Sequence, residues 1–394
     1  MKQAWRWFGP SDIVPLSWIA QAGASGVVSA CHQFDPGEVW TDNAISQRKV
    51  EIQDEGLEWS VIESLPVSEA IKTGGQDREA HIAAYILSLK AIARCNGPSV
   101  VCYNFMPILD WTRTNTDHEL VHGGTTMAFS LLDFAALDLH ILKRPGADAE
   151  YDDVILGEAK KRFDRMSSAD SKKLLSTIVS GLPGANDGHS REDVLHLLKT
   201  YENIGRDELR ANLSYFLKSV VPVAEELGLR LCAHPDDPPF SLLGLPRILS
   251  CEEDYQFLID AVPSDANGIT FCSGSLGVIA SNDLCSFVKR YAKKIHFVHL
   301  RNTSRSGSET RPDFIEDAHL DGDTDMISVL RLLLQEEKER RAQGREDFEI
   351  PMRPDHGQRL LGDLSMPSQP GYPAVGRLRG LAELRGAIAA LESS

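Results

Sequence analysis

His234, Cys272, His299 and Asp355 are the residues of this sequence whose types and spacing point most directly to chemistry. Each closes a short apolar run: Leu231-Cys232-Ala233-His234, Thr270-Phe271-Cys272, Phe297-Val298-His299 and Met352-Arg353-Pro354-Asp355. The separations are 38, 27 and 56 residues, unlike the tight spacing of a zinc finger. They suit convergence from neighbouring strands, about one strand-helix unit apart with a longer last connection. Deprotonated, the four side chains offer two imidazoles, a thiolate and a carboxylate to a single metal ion. Singly, each has a plainer role: a buried cysteine packs as a small hydrophobe, a strand-end histidine hydrogen-bonds, and an aspartate caps a helix. Four of them at equivalent strand ends argue for a shared ion. The donor set alone does not choose the metal, since zinc and cobalt suit it too.

Other groups surround these four. Strand alternation puts Arg301 on the face of His299, and Arg353 on that of Asp355. Two guanidiniums there suit either bidentate binding of a substrate carboxylate or salt bridges at a barrel rim. Ser273 opens Ser273-Gly274-Ser275-Leu276-Gly277, whose backbone N–H groups are placed to meet an anion before the next helix. Asn302 follows Arg301, and His319 lies in the loop after the seventh strand; both join Ser273 and the arginines as substrate-binding candidates. For proton transfer, the free groups are His356, beside Asp355, His319 again, and Tyr372, in the loop after the eighth strand. Unused polar groups of this kind mark an open catalytic site rather than a closed structural one.

The elements that must position these residues are legible as short apolar runs, each followed by a helical pattern. The strands are expected at Trp5–Phe8, Gly26–Ala30, Trp59–Glu63, Ser99–Phe105, Arg230–His234, Gly268–Ser273, Ile295–Leu300 and Glu349–Asp355. Helices are expected near 14–22, 43–56, 79–95, 206–227, 251–262, 283–292, 324–343 and 376–391. This alternation implies an α/β fold with parallel pairing, and eight units imply a single closed (β/α)8 barrel with its chemistry at the C-terminal strand ends. Between Asp110 and Tyr201 no convincing strand appears, only helical stretches at Phe129–Leu142, Tyr151–Arg165 and 191–202. Asp187-Gly188-His189-Ser190 is read as a loop before the last of these. Residues 111–200 are therefore expected to be a helical insertion after strand four, inside one catalytic domain spanning 1–394; a separate small domain is the alternative.

Bulk properties narrow the function. The net charge of −16 over 394 residues argues against nonspecific nucleic-acid binding, while leaving room for a small anionic substrate. The opening MKQAWRWFGPSD lacks an apolar core of signal-peptide type, and no apolar run reaches 18 residues. Seven dispersed cysteines fit reduced thiols, so a cytoplasmic protein without membrane contact is expected.

Several segments together resemble the mannonate dehydratases, a family of xylose-isomerase-like barrels. They are WRWFGP (5–10), GEVW (37–40), HPDDPP (234–239), FCSGSLG (271–277), FVHLRN (297–302), HLDGD (319–323), PMRPDHG (351–357) and GRLRGLAELRG (376–386). The resemblance implies conversion of D-mannonate to 2-keto-3-deoxy-D-gluconate with loss of water, in hexuronate breakdown. It implies Mn²⁺ or Fe²⁺ on His234, Cys272, His299 and Asp355, with acid and base falling on His356 and Tyr372 in an order the sequence leaves open. The expected partner is a small sugar acid, and a homodimer is the expected assembly for a barrel of this size. An aldose–ketose isomerase on the same barrel is the chief alternative, although such sites favour a catalytic lysine and none stands at these strand ends. A metal-dependent endonuclease of related fold and a non-catalytic protein with a structural ion are the others.

Overall fold

The computed structural model describes residues 1–181 and 190–393. Twelve strands occur in chain order: β1 (Lys2–Arg6), β2 (Gly26–Ser29), β3 (Glu58–Glu63), β4 (Val100–Tyr103), β5 (Asn115–Glu119), β6 (Thr125–Phe129), β7 (Arg230–Ala233), β8 (Asn267–Cys272), β9 (Ile295–Leu300), β10 (Asn302–Ser306), β11 (Asp313–Asp317) and β12 (Pro351–Pro354). Eight of them close into a parallel barrel in the order β1-β2-β3-β4-β7-β8-β9-β12 and back to β1. All eight expected strands are present. The first begins at Lys2 rather than Trp5, which leaves the aromatic Trp7-Phe8 pair beyond β1, at the barrel mouth.

Two buried layers hold the barrel. Ala4, Val28, Val61, Val100, Cys102, Cys232 and Phe297, from six strands, form one cluster in the manner of a filled barrel interior. Outside it, Ile19, Ile45, Leu89, Leu217, Leu258, Val288, Leu330 and Leu384, one from each surrounding helix, are fully buried in the larger core. Strands such as Val100–Tyr103 are apolar throughout because both faces are covered. Side chains two residues apart share a face, so the face that fills the interior at Cys102, Cys232 and Phe297 carries Asn104, His234 and His299 above it.

The 111–200 segment departs from a purely helical insertion. It begins with the hairpin β5–β6, which joins the hairpin β10–β11 in an antiparallel sheet of order β10-β11-β6-β5. Sequence reading misses β5 because Asn115–Glu119 is polar and exposed at its end; it pairs only with β6, which in turn pairs with the distant β11. His319 correspondingly follows a hairpin, not a plain loop. The rest is helical, with Leu131–Ala136 running into a π-helical turn over Leu137–Leu142, then Asp153–Asp164, Ser168–Val179 and Arg191–Lys199. Of the expected loop 187–190, only Ser190 lies within the described residues, where its hydroxyl caps the helix Arg191–Lys199 by accepting from Asp193 N–H.

Candidate metal centre

The four candidate ligands stand on β7, β8, β9 and β12, which are neighbours in the barrel. Backbone pairing continues one residue past the strands: His234 N–H donates to Tyr103 O at 3.0 Å, and Asp355 N–H donates to Leu300 O at 3.1 Å. The ligands are thus set at one height by the ladder itself. His234 Nε2 and His299 Nδ1 face each other at 3.0 Å. Together with Cys272 Sγ they form a buried cluster in which the three donor atoms lie within 4.8 Å of one another. Asp355 Oδ2 approaches it, 3.8 Å from His299 Nδ1 and 3.9 Å from Cys272 Sγ.

This arrangement fits one divalent ion. His234 Nδ1 lies 2.7 Å from Pro235 O, so it carries the proton. His299 Nε2 lies 3.4 Å from the carboxylate of Glu63, the kind of outer partner a metal-binding histidine takes. With the His299 proton on Nε2, facing Glu63, both facing nitrogens present lone pairs that a cation between them would hold together. Two imidazoles, a thiol and a nearby carboxylate are the donor types such an ion would take. Cys272 Sγ accepts from Ser275 N–H and Oγ at 3.4 and 3.3 Å. The small-residue loop therefore serves the sulfur with its N–H rather than a substrate anion.

Beneath the cluster lies a buried network of ion pairs. Arg353 pairs with Glu63 at 2.9 Å and also with Asp355. Arg301 pairs with Asp237 at 2.8 Å, Glu316 at 3.0 Å and Asp355 at 3.3 Å. Arg113 reaches Asp237 at 2.9 Å and Glu316 at 2.5 Å. Burial alone would raise the carboxyls of Asp355 and Glu63, but Arg353 and the other nearby cations outweigh it and hold both well below the usual range. Glu316 is likewise brought down to about 2, burial being outweighed by Arg301 and Arg113.

His356 and Tyr372 both reach this place. His356 Nδ1 lies 3.1 Å from Glu316 Oε1, and its Nε2 lies 3.8 Å from Asp355 Oδ1. Tyr372 donates its hydroxyl to Asp355 Oδ1 at 3.3 Å and meets the His356 ring edge-on at 5.2 Å. Phe8 packs edge-on against the other side of Tyr372, with ring centres 5.0 Å apart. Burial first, then the charge of Asp355, pushes the Tyr372 phenol up, so it stays protonated.

The expected substrate contacts divide. Arg301 and Arg353 border the cluster, and Arg301 Nη2 has no hydrogen-bond partner among the described residues. Ser273 and Asn302 are otherwise engaged. Ser273 Oγ donates to Arg301 O at 2.7 Å and accepts from Arg301 N–H at 3.0 Å, lacing β8 to β9. Asn302 donates to His319 O and Thr324 O and accepts from Thr303 and Thr324 N–H, all within 3.1 Å, so its amide is used up in bracing loops. His319 is not drawn into the cluster; its ring packs against Gly380 of the last helix. Sequence reading missed Glu63, Asp237, Glu316 and Arg113. Glu63 ends β3 and answers to the same strand-end rule as the ligands, whereas Arg113 and Glu316 carry no local signal.

A closed (β/α)8 barrel with this cluster at its C-terminal strand ends defines a barrel enzyme of the lyase class once its relatives are set beside it. The chain belongs to the D-mannonate dehydratase (UxuA) family, whose model matches residues 1–394. It is 51% identical over 391 residues to the mannonate dehydratase of Rhizobium meliloti (strain 1021), covering 99% of this chain and 97% of that one. Mannonate dehydratase 1 of Agrobacterium fabrum is 52% identical over 386 residues, covering 98% and 96%. Among solved structures, the mannonate dehydratase of Streptococcus suis serotype 2 matches with a TM-score of 0.78 at 32% identity, covering 100% of this chain and 95% of that one.

Proposed function

We propose that this chain removes water from D-mannonate to give 2-keto-3-deoxy-D-gluconate, using one Mn²⁺ or Fe²⁺ held by His234, Cys272, His299 and Asp355. The observation that carries the reading is the facing pair of imidazole nitrogens at 3.0 Å beside a buried sulfur, in a chain of this family. When bound there, a divalent ion supplies Lewis-acid stabilisation of charge on the substrate carboxylate. Arg301, with Nη2 free of protein partners, orients that carboxylate. Glu316 fixes His356 through Nδ1, leaving Nε2 to take the C2 proton. Tyr372, kept protonated by its surroundings, gives its proton to the C3 hydroxyl, which departs as water. The enol left behind tautomerises to the 2-keto acid.

The same reading places the enzyme in hexuronate breakdown, as a cytoplasmic homodimer with residues 1–394 acting as one catalytic unit. All seven cysteines are unpaired, which suits a reducing compartment, and no helix among the described residues is long and apolar enough to cross a membrane. The test is to strip the purified protein with a chelator, reload it with Mn²⁺, Fe²⁺ or Zn²⁺, and supply D-mannonate. A thiobarbituric-acid-positive keto-deoxy product that vanishes on stripping and returns on reloading is expected. Full turnover in the stripped protein removes the metal from the reaction, and absence of the product under every loading removes the reaction itself.

A further inference from the structure

A cavity of about 220 Å³ lies at the barrel mouth, with Ser64, Val67, Glu69, Lys72, Asn104 and Asp110 in its lining. Ser64 follows β3 and Asn104 follows β4, so the cavity stands over two strands next to β7 and across the barrel from β9 and β12. Asn104 lies two residues beyond Cys102, on the face that points into the barrel. The cavity is linked to the ligand cluster through the backbone. His234 N–H binds the carbonyl of Tyr103, the residue before Asn104, at 3.0 Å. Burial raises the Asp110 carboxyl, with Lys72 opposing it.

The chemistry of the lining differs from that of the cluster. Lys72 Nζ is held by Glu69 Oε1 at 2.7 Å and Met106 O at 2.8 Å, so this pair is satisfied within the protein. Half of the lining is apolar, Val67 and Leu197 among it, and the polar groups left are the Ser64 hydroxyl, the Asn104 amide and the Asp110 carboxyl. Its polar groups can exchange hydrogen bonds with hydroxyls while its apolar part packs against carbons, and Asp110 repels a second carboxylate. The guanidiniums suited to a carboxylate, Arg301 and Arg353, stand on the far side, at β9 and β12. A linear acid seated with its carboxylate beside them extends its other end toward β3 and β4. The volume is below the roughly 300 Å³ at which drug-sized pockets begin, which suits a few carbons and their hydroxyls.

We propose that Ser64, Asn104 and Asp110 form the subsite for the hydroxylated tail, carbons 4 to 6, of the sugar acid, and that it sets the chain length the enzyme prefers. The subsite rests on the hexonate dehydration proposed above. None of its residues takes part in proton transfer, so it acts on affinity for long substrates and not on the chemical step.

The test compares D-mannonate with L-erythronate, a four-carbon acid that shares its configuration at C2 and C3 but has no carbons to fill the cavity. Kinetics with D-mannonate give kcat/KM, and inhibition of that reaction gives Ki for L-erythronate. The variants are Asn104→Ala, which removes hydrogen bonds, and Val67→Phe, which fills the cavity by an independent route; melting curves verify folding. For each, kcat/KM on D-mannonate is expected to fall about tenfold or more while Ki for L-erythronate stays within about twofold. Equal losses on both acids, or no loss on either, in both variants overturns the subsite. Failure of the unmodified protein to dehydrate D-mannonate is a separate result: it removes the reaction, and with it the subsite, before any variant is made.

Discussion

The sulfur of Cys272 is met from three sides, by Ser275 N–H, by Ser275 Oγ, and by Asp355 Oδ2 at 3.9 Å, while the facing imidazoles of His234 and His299 complete the cluster. Replacing sulfur by oxygen keeps the shape and both Ser275 contacts but replaces a thiolate with a hydroxyl, a far poorer ligand for a borderline-soft ion. Cys272→Ser is expected to fold normally and to lose at least about tenfold in metal retention, read by metal analysis after dialysis. Wild-type metal content in that variant would falsify the ligand assignment. Tyr372 sits at the other end of the site, touching Asp355 only through its hydroxyl. Tyr372→Phe keeps the ring packing against Phe8 and His356, so metal content should hold while turnover drops about 10²–10⁴-fold. Unchanged turnover takes Tyr372 out of the chemistry.

Between elements, the β10-β11-β6-β5 sheet stands beyond the C-terminal end of β9, and Arg113 ties that sheet to the barrel. Fully buried, it binds Glu316 on β11 and Asp237 after β7, and its guanidinium lies 4.7 Å from the Phe314 ring centre. Removing it leaves Asp237 and Glu316 sharing Arg301 as their one guanidinium, and the negative charge left in excess in a buried network costs more than the lost pairs contribute net. Arg113→Ala is expected to lower stability by about 3–5 kcal/mol in chemical denaturation, and to release Glu316 from its place behind His356. A loss below about 1 kcal/mol would show the sheet to be held by other contacts. These elements also mark the limit of what the chain reveals unaided. The barrel strands are legible because burial on both faces makes them largely apolar runs, as in Val100–Tyr103, and the ligands are legible as metal-binding types at the ends of such runs. Asn115–Glu119 is illegible because a polar edge strand exists only through its pairing; the Gly123-Gly124 pair, with Gly123 at φ +84°, was the one local hint of a hairpin. Ser273 and Asn302 show a related effect. A polar residue beside a site serves whichever partner reaches it first, and theirs are backbone groups of Arg301, His319 and Thr324.

For the molecule as a whole, acid should weaken the fold before the carboxylate network is touched. His296 is 3% exposed, and its Nε2 donates to Asp265 O at 2.9 Å. Burial, reinforced by Arg230 and Arg340, lowers it from 6.5 to about 3. His319, also 3% exposed, is lowered by burial to about 4. Both are neutral in the folded chain at pH values where the unfolded chain has protonated them. The unfolded state therefore binds more protons below about pH 6.5, and unfolding free energy falls as pH drops through that value toward 4. Each histidine contributes a slope of about 1.4 kcal/mol per pH unit once the unfolded form is fully protonated. A competing effect has the opposite sign. The chain carries −16 at pH 7, and titrating toward its pI near 5.2 relieves mutual repulsion. At about 0.15 M salt that repulsion is screened beyond about 8 Å, whereas the cost of charging a buried imidazole is not, so the histidines decide the sign. Denaturation midpoints measured with chelator present, to separate this effect from acid release of the ion, should fall steadily from pH 7.5 to 5. His296→Gln should flatten the slope. A midpoint that is constant, or that peaks near pH 5.2, means these imidazoles take up their protons without unfolding the chain.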